Sequence, residues 1–282
     1  MASNQSLQDI IVRPSTSTIK SRSRQMTLDD VLEQFSQPNP ADRRVNLLWC
    51  VDKTGSMSTL IHKAKSASAE FFRRCQESNI MLNVCWCPYG DYCDYQYYGS
   101  SGLIEAREWT SEVNLLERFI QETRLVGGGD ADEAVEYVLA YALAQSSAID
   151  AIILVADAGP HEVQEAQRQV QSYGVPTQWP LDWRENAKAL GKKGIPVYTF
   201  AMREGCRNAF GEIAHLSGGQ MGDLEQMDAL IDMLTLTAVA VGGDESDVKK
   251  YLERYGGRMN QSALEFAKRL CLPVIRDQES KL

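Results

Sequence analysis

The 282-residue sequence lacks a long apolar run, an excess of positive charge and the apolar core of a secretory signal. Without eighteen consecutive apolar residues, no membrane-spanning helix is predicted. A formal net charge of −9 at pH 7 argues against nonspecific attachment to phosphate backbones or anionic lipid. We therefore expect a cytoplasmic protein that binds neither nucleic acid nor membrane.

The cysteines also lack the spacing of a disulfide framework or a zinc finger. Their number is seven, which is odd, and no export signal accompanies them, so reduced thiols are expected. Cys85 and Cys87 share one face of an apolar strand, and no second Cys or His pair stands at finger spacing. We expect these two cysteines to pack in the core.

Composition divides the chain into four segments. Residues 1–26 are rich in Ser, Thr and basic residues, which predicts a flexible basic arm. Residues 27–43 are predicted to form a short helix and a linker. Residues 44–242 alternate short apolar runs with longer amphipathic ones, and residues 243–282 are predicted to form a C-terminal helical extension.

The alternation in residues 44–242 predicts a doubly wound three-layer α/β sandwich with a central, mostly parallel sheet and one antiparallel edge strand. The predicted strands are VNLLWCV, IMLNVCWC, the weaker edge strand LIEAREW, DAIILVAD, IPVYTFAM and a short strand between the last two helices of the domain. The main predicted helices are STLIHKAKSASAEFFRRCQES, SEVNLLERFIQETRLV with Ser111 as its cap, ADEAVEYVLAYALAQ, EVQEAQRQVQSYG, DWRENAKALGKKG, NAFGEIAHLSGG and LEQMDALIDMLTLTAVAV.

Two of the buried strands end in an aspartate, Asp52 and Asp157. Ligand sites of open parallel sheets form at the carboxyl ends of strands, so these carboxylates meet if the two strands are neighbours. Thr54 and Ser56 add hydroxyl oxygens at alternate positions of the loop after Asp52. Oxygen ligands suit magnesium or manganese rather than zinc, and two adjacent carboxylates would repel each other without a cation. The pattern predicts a magnesium or manganese site.

Three segments resemble the loops of the metal-ion-dependent adhesion site in von Willebrand factor type A (VWA) domains: DKTGSM, GGGDADEA and LVADAGPHE. They are similar to the loops D-x-T-G-S-M, G-G-G-D-x-P-E and D-A-x-P-H of the intracellular VWA group associated with α-type protein kinases. YGDYCDYQY also resembles the Y-R-D segment of that group. The resemblance covers roughly Val45 to Gly242 and implies a Rossmann-like VWA fold.

The resemblance implies a set of metal ligands, with Mg²⁺ or Mn²⁺ as the cofactor. The second loop of adhesion-type members uses a threonine; the matching position in this chain is Gly129, and the adjacent Asp130 is the implied ligand. The third-loop acid often reaches the metal through water in the family. The implied ligands are Asp52, Thr54, Ser56, Asp130 and Asp157.

The resemblance implies a non-enzymatic, divalent-cation-dependent protein-interaction module, an adaptor or scaffold whose partner offers an acidic side chain to the metal. The resemblance to this group also leaves open that the chain associates with a kinase or an ATPase. Three acids on one divalent ion leave the site negative, so metal binding is expected more firmly than tight capture of an acidic ligand.

Two alternatives stay open: a metal-dependent phosphoryl-transfer enzyme or hydrolase, and a scaffold with a purely structural metal site. The sequence offers no convincing nucleophile or general base beyond the metal ligands. The glycine run lacks the Lys-Ser/Thr ending of a nucleotide-binding loop. Thr54 also stands where an aspartyl-phosphate phosphatase needs a second acid.

Overall fold

The computed structural model describes residues 43–129, 131–177, 179–224 and 229–271. The predicted basic arm (1–26) and all but the last residue of the predicted short helix and linker (27–43) lie outside these ranges. The predicted metal ligand Asp130 lies outside them as well.

The described chain contains a central sheet of five parallel strands in the order β2-β1-β4-β6-β7. Two further short strands, β3 and β5, form a separate parallel pair. The predicted central, mostly parallel sheet is confirmed. The strands are β1 (Arg44–Asp52), β2 (Met81–Tyr89), β3 (Asp132–Glu133), β4 (Ala151–Ala156), β5 (Gly159–Pro160), β6 (Val197–Ala201) and β7 (Met221–Asp223).

Helices cover both faces of this sheet and form the outer layers. Helix α7 begins where Asp182 caps it, since this carboxylate accepts hydrogen bonds from the backbone N–H groups of Arg184 and Glu185. The helices are α1 (Ser58–Glu77), α2 (Tyr95–Tyr98), α3 (Ser100–Leu103), α4 (Val113–Gln121), α5 (Val135–Ala144), α6 (Val163–Tyr173), α7 (Trp183–Lys192), α8 (Glu204–Ser217), α9 (Leu230–Gly242), α10 (Glu245–Tyr255) and α11 (Gln261–Cys271).

Alternate side chains of β1 point to opposite faces of the sheet. Leu47 and Trp49 pack in the core shared with α1 and α9, whereas Leu48 and Cys50 pack against α5 and α7. Fully burying one large apolar side chain contributes roughly 1.5–3 kcal/mol. Because both faces are covered, polar side chains of the central strands are confined mainly to the strand ends.

The predicted edge strand LIEAREW does not form a continuous strand; the chain from Ile104 to Thr110 runs antiparallel to β2 and pairs with it only at isolated bridges. Ile104 bridges Tyr89 and Thr110 bridges Val84, and between them the N–H of Arg107 donates to the carbonyl of Trp86 at 2.8 Å. Pro88 has no N–H to return a bond on this side, which interrupts the ladder.

Several predicted helix starts are wrong, among them that of α8, which begins at Glu204 rather than at Asn208. Ser111 does not cap α4, which begins at Val113 without a side-chain cap. Helix α5 begins at Val135 rather than at residue 131, because Asp132 and Glu133 pair with β5 instead. At the start of α5 the tertiary structure overrides a local helix signal.

The residues after Gly242 form α10 and α11 as far as Cys271. These helices pack on the same core as the sheet, since the ring of Phe266 lies 5.3 Å from that of Phe200 on β6. All seven cysteines are free thiols, and Cys85 and Cys87 are buried as predicted. None of the described helices is both long and apolar enough to traverse a lipid bilayer.

Candidate metal centre

The carboxyl ends of β1 and β4 lie side by side. The two strands are hydrogen-bonded neighbours, with Val51 opposite Val155 in the register. The chain passes from β1 outward to β2 and then returns to β4 on the other side of β1, so the winding direction changes at this point. The prediction that the two aspartate-bearing strands are neighbours is confirmed, and the site lies where open α/β sheets bind ligands.

The loop after β1 curls back over the end of the strand. The N–H of Thr54 donates to Oδ1 of Asp52 at 2.7 Å, and the N–H of Met57 donates to the carbonyl of Thr54 at 2.9 Å. A short 3₁₀ turn, Gly55–Met57, follows and leads directly into α1. This tight loop places the Thr54 and Ser56 hydroxyls next to each other.

The side-chain oxygens of this loop continue to the end of β4. Oγ1 of Thr54 lies 3.2 Å from Oγ of Ser56, which in turn donates to Oδ1 of Asp157 at 3.2 Å. We call the four residues Asp52, Thr54, Ser56 and Asp157 the Asp52 cluster. The structure thus brings together four of the five predicted metal ligands.

Asp52 has an unsatisfied oxygen in a buried position. Its side chain is wholly buried, and Oδ2 has no hydrogen-bond partner. Burial raises the pKa of this carboxyl, hydrogen bonds from Thr54 oppose the rise, and the negative charge of Asp157 adds to it. A buried carboxylate oxygen without a donor is costly unless a proton or cation satisfies it. This donor set fits a hard divalent cation, and the exposed Ser56 opens it to solvent.

The neighbouring lysine does not neutralise Asp52. Lys53 is buried, and its ammonium group donates to the carbonyl of Ser101 and lies 3.6 Å from Oε2 of Glu105. Burial lowers the pKa of Lys53, an effect that Glu105 opposes. The side chain therefore ties β1 to the α3 segment rather than to the Asp52 cluster.

Carboxylates alone do not complete the site. Within the described ranges, no group of three or more His, Cys, Asp or Glu side chains is arranged to hold a metal ion. The Asp52 cluster contains two carboxylates and two hydroxyls, so a cation held there depends on Thr54 and Ser56.

An arginine that the sequence patterns did not single out lies beside the cluster. Nη2 of Arg203 is 3.0 Å from Oδ2 of Asp157, and the arginine side chain is 66% exposed whereas that of Asp157 is 7% exposed. Arg203 follows β6, the strand next to β4. A signal was present in the sequence, because IPVYTFAM is a predicted strand and the polar residue after it falls at the same edge of a parallel sheet.

A buried glutamate was also missed. Glu133 lies on β3 opposite Pro160, and its Oε2 has no hydrogen-bond partner. Burial raises the pKa of this carboxyl, and surrounding negative charges, that of Asp52 foremost, raise it further. Glu133 was concealed within a segment that the sequence pattern assigned to a helix.

The second of the three resembling loops, which begins with Gly127, Gly128 and Gly129, is held by a carboxylate from the YGDYCDYQY segment. Asp94 accepts hydrogen bonds from the N–H groups of Gly127 at 3.2 Å, Gly128 at 3.4 Å and Asp91 at 3.1 Å. Gly128 has φ +74°, a conformation that glycine adopts readily. At Gly129 an added Cβ would lie 2.7 Å from Oδ2 of Asp91. The glycine run is therefore a close-packed loop next to the Asp52 cluster.

A buried polar network lies behind the glycine loop. Nδ1 of His161 is 3.1 Å from Oε1 of Glu136, the Tyr92 hydroxyl donates to the same oxygen at 2.8 Å, and Nε2 of His161 is 3.7 Å from Oδ1 of Asp91. Burial raises the pKa of Glu136, although His161 opposes the rise. His161 thus links the third loop to the segment that anchors the second.

No known family profile matches this chain. It is 26% identical over 230 residues to the putative ariadne-like RING finger protein R811 of Acanthamoeba polyphaga mimivirus, a match that covers 78% of this chain and 22% of that protein. The chain therefore spans about a fifth of that relative's length.

Among solved structures, the chain is similar to the pilus adhesin SpaC from Lactobacillus rhamnosus GG in its open conformation. The TM-score is 0.50 at 15% sequence identity, over 71% of this chain and 30% of the adhesin. A second structure of the same adhesin gives the same values. This likeness supports the class of fold that the strand order defines, a Rossmann-like three-layer α/β sandwich.

Proposed function

We propose that this chain is a divalent-cation-dependent protein-interaction module of the VWA type, and that its Mg²⁺ or Mn²⁺ ion is held by the Asp52 cluster together with Asp130. The observation that carries the proposal is the buried Oδ2 of Asp52, which has no partner although the hydroxyls of the same loop and Asp157 are linked beside it. The three motifs of the VWA resemblance add support.

The residues of the Asp52 cluster have distinct roles in this proposal. Thr54 and Ser56 are direct ligands whose neutral oxygens leave the charge of the ion partly uncompensated. Asp52 and Asp157 supply negative charge, directly or through water. A magnesium ion commonly retains exchangeable waters, so a bound ion would offer a position to an Asp or Glu side chain of a partner protein.

The name of the ariadne-like relative suggests a different class, a RING finger, in which zinc is held by Cys and His ligands. Five of the seven cysteines here are buried, at Cys50, Cys75, Cys85, Cys87 and Cys206. Packing in the apolar core accounts for them, so the interaction module is the better-supported proposal. The similarity to the adhesin supports the fold alone and contributes nothing to the proposed function.

Magnesium titration of the full chain tests the metal step. A ligand that binds only the folded state raises the free energy of unfolding by RT ln(1 + [L]/Kd), about 2.7 kcal/mol when its concentration is a hundredfold above Kd. We expect such a rise with Mg²⁺ or Mn²⁺ and its reversal by a chelator. A melting temperature that neither ion moves would contradict the proposal.

Two assays separate the interaction module from its alternatives. Phosphatase, nuclease and nucleotidase turnover with Mg²⁺ or Mn²⁺ would favour the enzyme. If the protein binds the metal but still captures a specific partner in the presence of a chelator, the purely structural site is favoured. The proposal predicts no turnover, and partner capture that the chelator abolishes.

A further inference from the structure

The two carboxylate oxygens of Asp157 face different partners. Oδ1 accepts from the Ser56 hydroxyl within the Asp52 cluster, whereas Oδ2 lies 3.0 Å from Nη2 of Arg203. With its carboxylate 7% exposed and the arginine side chain 66% exposed, the pair lies at the opening of the cluster to solvent. Arg203 thus places a positive charge at the entrance of the proposed cation site.

The backbone around Arg203 is fixed by the sheet. Ala156 is paired with Ala201 in the β4–β6 register, and the N–H of Met202 donates to the carbonyl of Ala156 at 3.0 Å. Arg203 itself is the N-cap residue of α8, with extended backbone angles. The start of the arginine side chain is therefore held beside the end of β4, while its far end is free to change partner.

Charge in the cluster depends on this arginine. Asp52 and Asp157 contribute two negative charges when ionised, which a divalent ion alone would cancel to zero. Arg203 changes that sum to +1. An ionised Asp130 would lower either value by one, to zero with the arginine and to −1 without it. A loaded site without Arg203 would therefore offer little attraction to an acidic side chain.

We infer that Arg203 is a second recognition group of this site: it competes with the cation for Asp157, and its guanidinium pairs with the acidic side chain of the partner once the cation is bound. The inference rests on the proposed function. A guanidinium is suited to the second role because its planar N–H donors match a carboxylate in a bidentate pair.

The test combines two measurements with opposite expected signs. Calorimetric titration with Mg²⁺ alone should show Arg203→Gln binding the ion about three- to tenfold more tightly than the wild type, because a competing positive charge is removed. Binding of a fluorescent octaglutamate peptide to the magnesium-saturated protein should weaken by about tenfold or more, because the paired guanidinium is lost.

Two further variants act as controls. Arg207→Gln removes the same charge one turn further along α8, where the arginine pairs with Glu204 and Asp223, and it should leave both measurements within about twofold of wild type. Arg203→Lys retains the charge but not the planar group, so it should keep the wild-type magnesium affinity and bind the peptide with intermediate affinity.

Each outcome bears on a distinct step. Magnesium binding by the wild type, with Arg203→Gln matching Arg207→Gln in both measurements, would overturn the role of Arg203 and leave the metal site standing. A magnesium-loaded wild type that does not bind the octaglutamate peptide would overturn the pairing with an acidic side chain. Absence of magnesium binding by the wild type would overturn the proposed function and this inference together.

Discussion

The hydroxyl oxygen of Ser56 lies 3.2 Å from Oδ1 of Asp157, so the loop after β1 touches the end of β4 across a separation of 101 residues in the chain. Ser56 is exposed, whereas the Asp157 side chain is almost wholly buried. This contact joins a solvent-facing hydroxyl to an inner carboxylate, so a cation that entered from solvent would meet both oxygens.

Ser56→Ala should weaken magnesium binding about tenfold or more, since it removes one proposed ligand without changing the core. The free energy of unfolding of the metal-free protein should stay within about 0.5 kcal/mol of wild type, as is usual for exposed positions. Calorimetry and thermal unfolding measure the two quantities. Ser58→Ala, two residues further on and also exposed, is the matched control. If both variants bind magnesium like wild type, Ser56 is not a ligand.

Gly129→Ala should destabilise the protein by about 1–3 kcal/mol and weaken magnesium binding, because an added Cβ would lie 2.7 Å from Oδ2 of Asp91 and 2.8 Å from Sγ of Cys93. Gly127→Ala is the control within the same loop, since its Cβ would meet Oδ1 of Asp94 at an ordinary 3.8 Å. Chemical denaturation and calorimetry compare the two variants. Equal effects at both positions would show that the close approach at Gly129 does not matter.

Glu133→Gln should stabilise the metal-free protein by about 1–3 kcal/mol near pH 8, because the buried Oε2 of Glu133 has no hydrogen-bond partner. The pKa of this carboxyl is raised in the folded state. The folded wild type therefore binds more protons than the unfolded chain above the ordinary glutamate pKa of about 4.3, and Glu133 makes stability fall as pH rises.

The stabilisation by Glu133→Gln should accordingly shrink as the pH is lowered from about 8 toward about 5. Denaturation in the presence of a chelator at several pH values measures this trend. Glu108→Gln makes the same change at an exposed glutamate and serves as the control, with little change expected. A loss of stability for Glu133→Gln at pH 8 would show that the ionised carboxyl is needed for folding.

Sequence periodicity predicted the central strands and most helices. A strand that is buried on both faces of the sheet is apolar along its length, and such a run can be recognised in the sequence. The runs VNLLWCV and DAIILVAD became β1 and β4, and Gly174 and Gly194 lie in left-handed conformations just after α6 and α7. The start of α5 was not predictable in this way. It depends on the pairing of Asp132 and Glu133 with β5, a contact that local helix propensity does not encode.

The residues of the site divide in the same way, into those that the sequence predicted and those whose approach depends on tertiary contacts. Asp52, Thr54 and Ser56 are close in sequence, so one loop brings them together. Asp157 was predicted to lie near them because the carboxyl ends of neighbouring parallel strands meet at one edge of the sheet. Arg203 and Glu133 come from other elements, and their approach depends on strand order and on the direction of each side chain. A motif search reads spacing along the chain and does not register such contacts.

Calorimetric titration of the full chain with Mg²⁺, wild type against Asp52→Asn, tests the central claim most directly. Asparagine retains an oxygen that can accept the 2.7 Å hydrogen bond from the Thr54 N–H, and it replaces the unpartnered Oδ2 with a neutral group. The account predicts that the wild type binds one magnesium ion and that Asp52→Asn, folded and at least as stable in chelator, binds none. Equal magnesium affinity in both proteins, or none in the wild type, would contradict it.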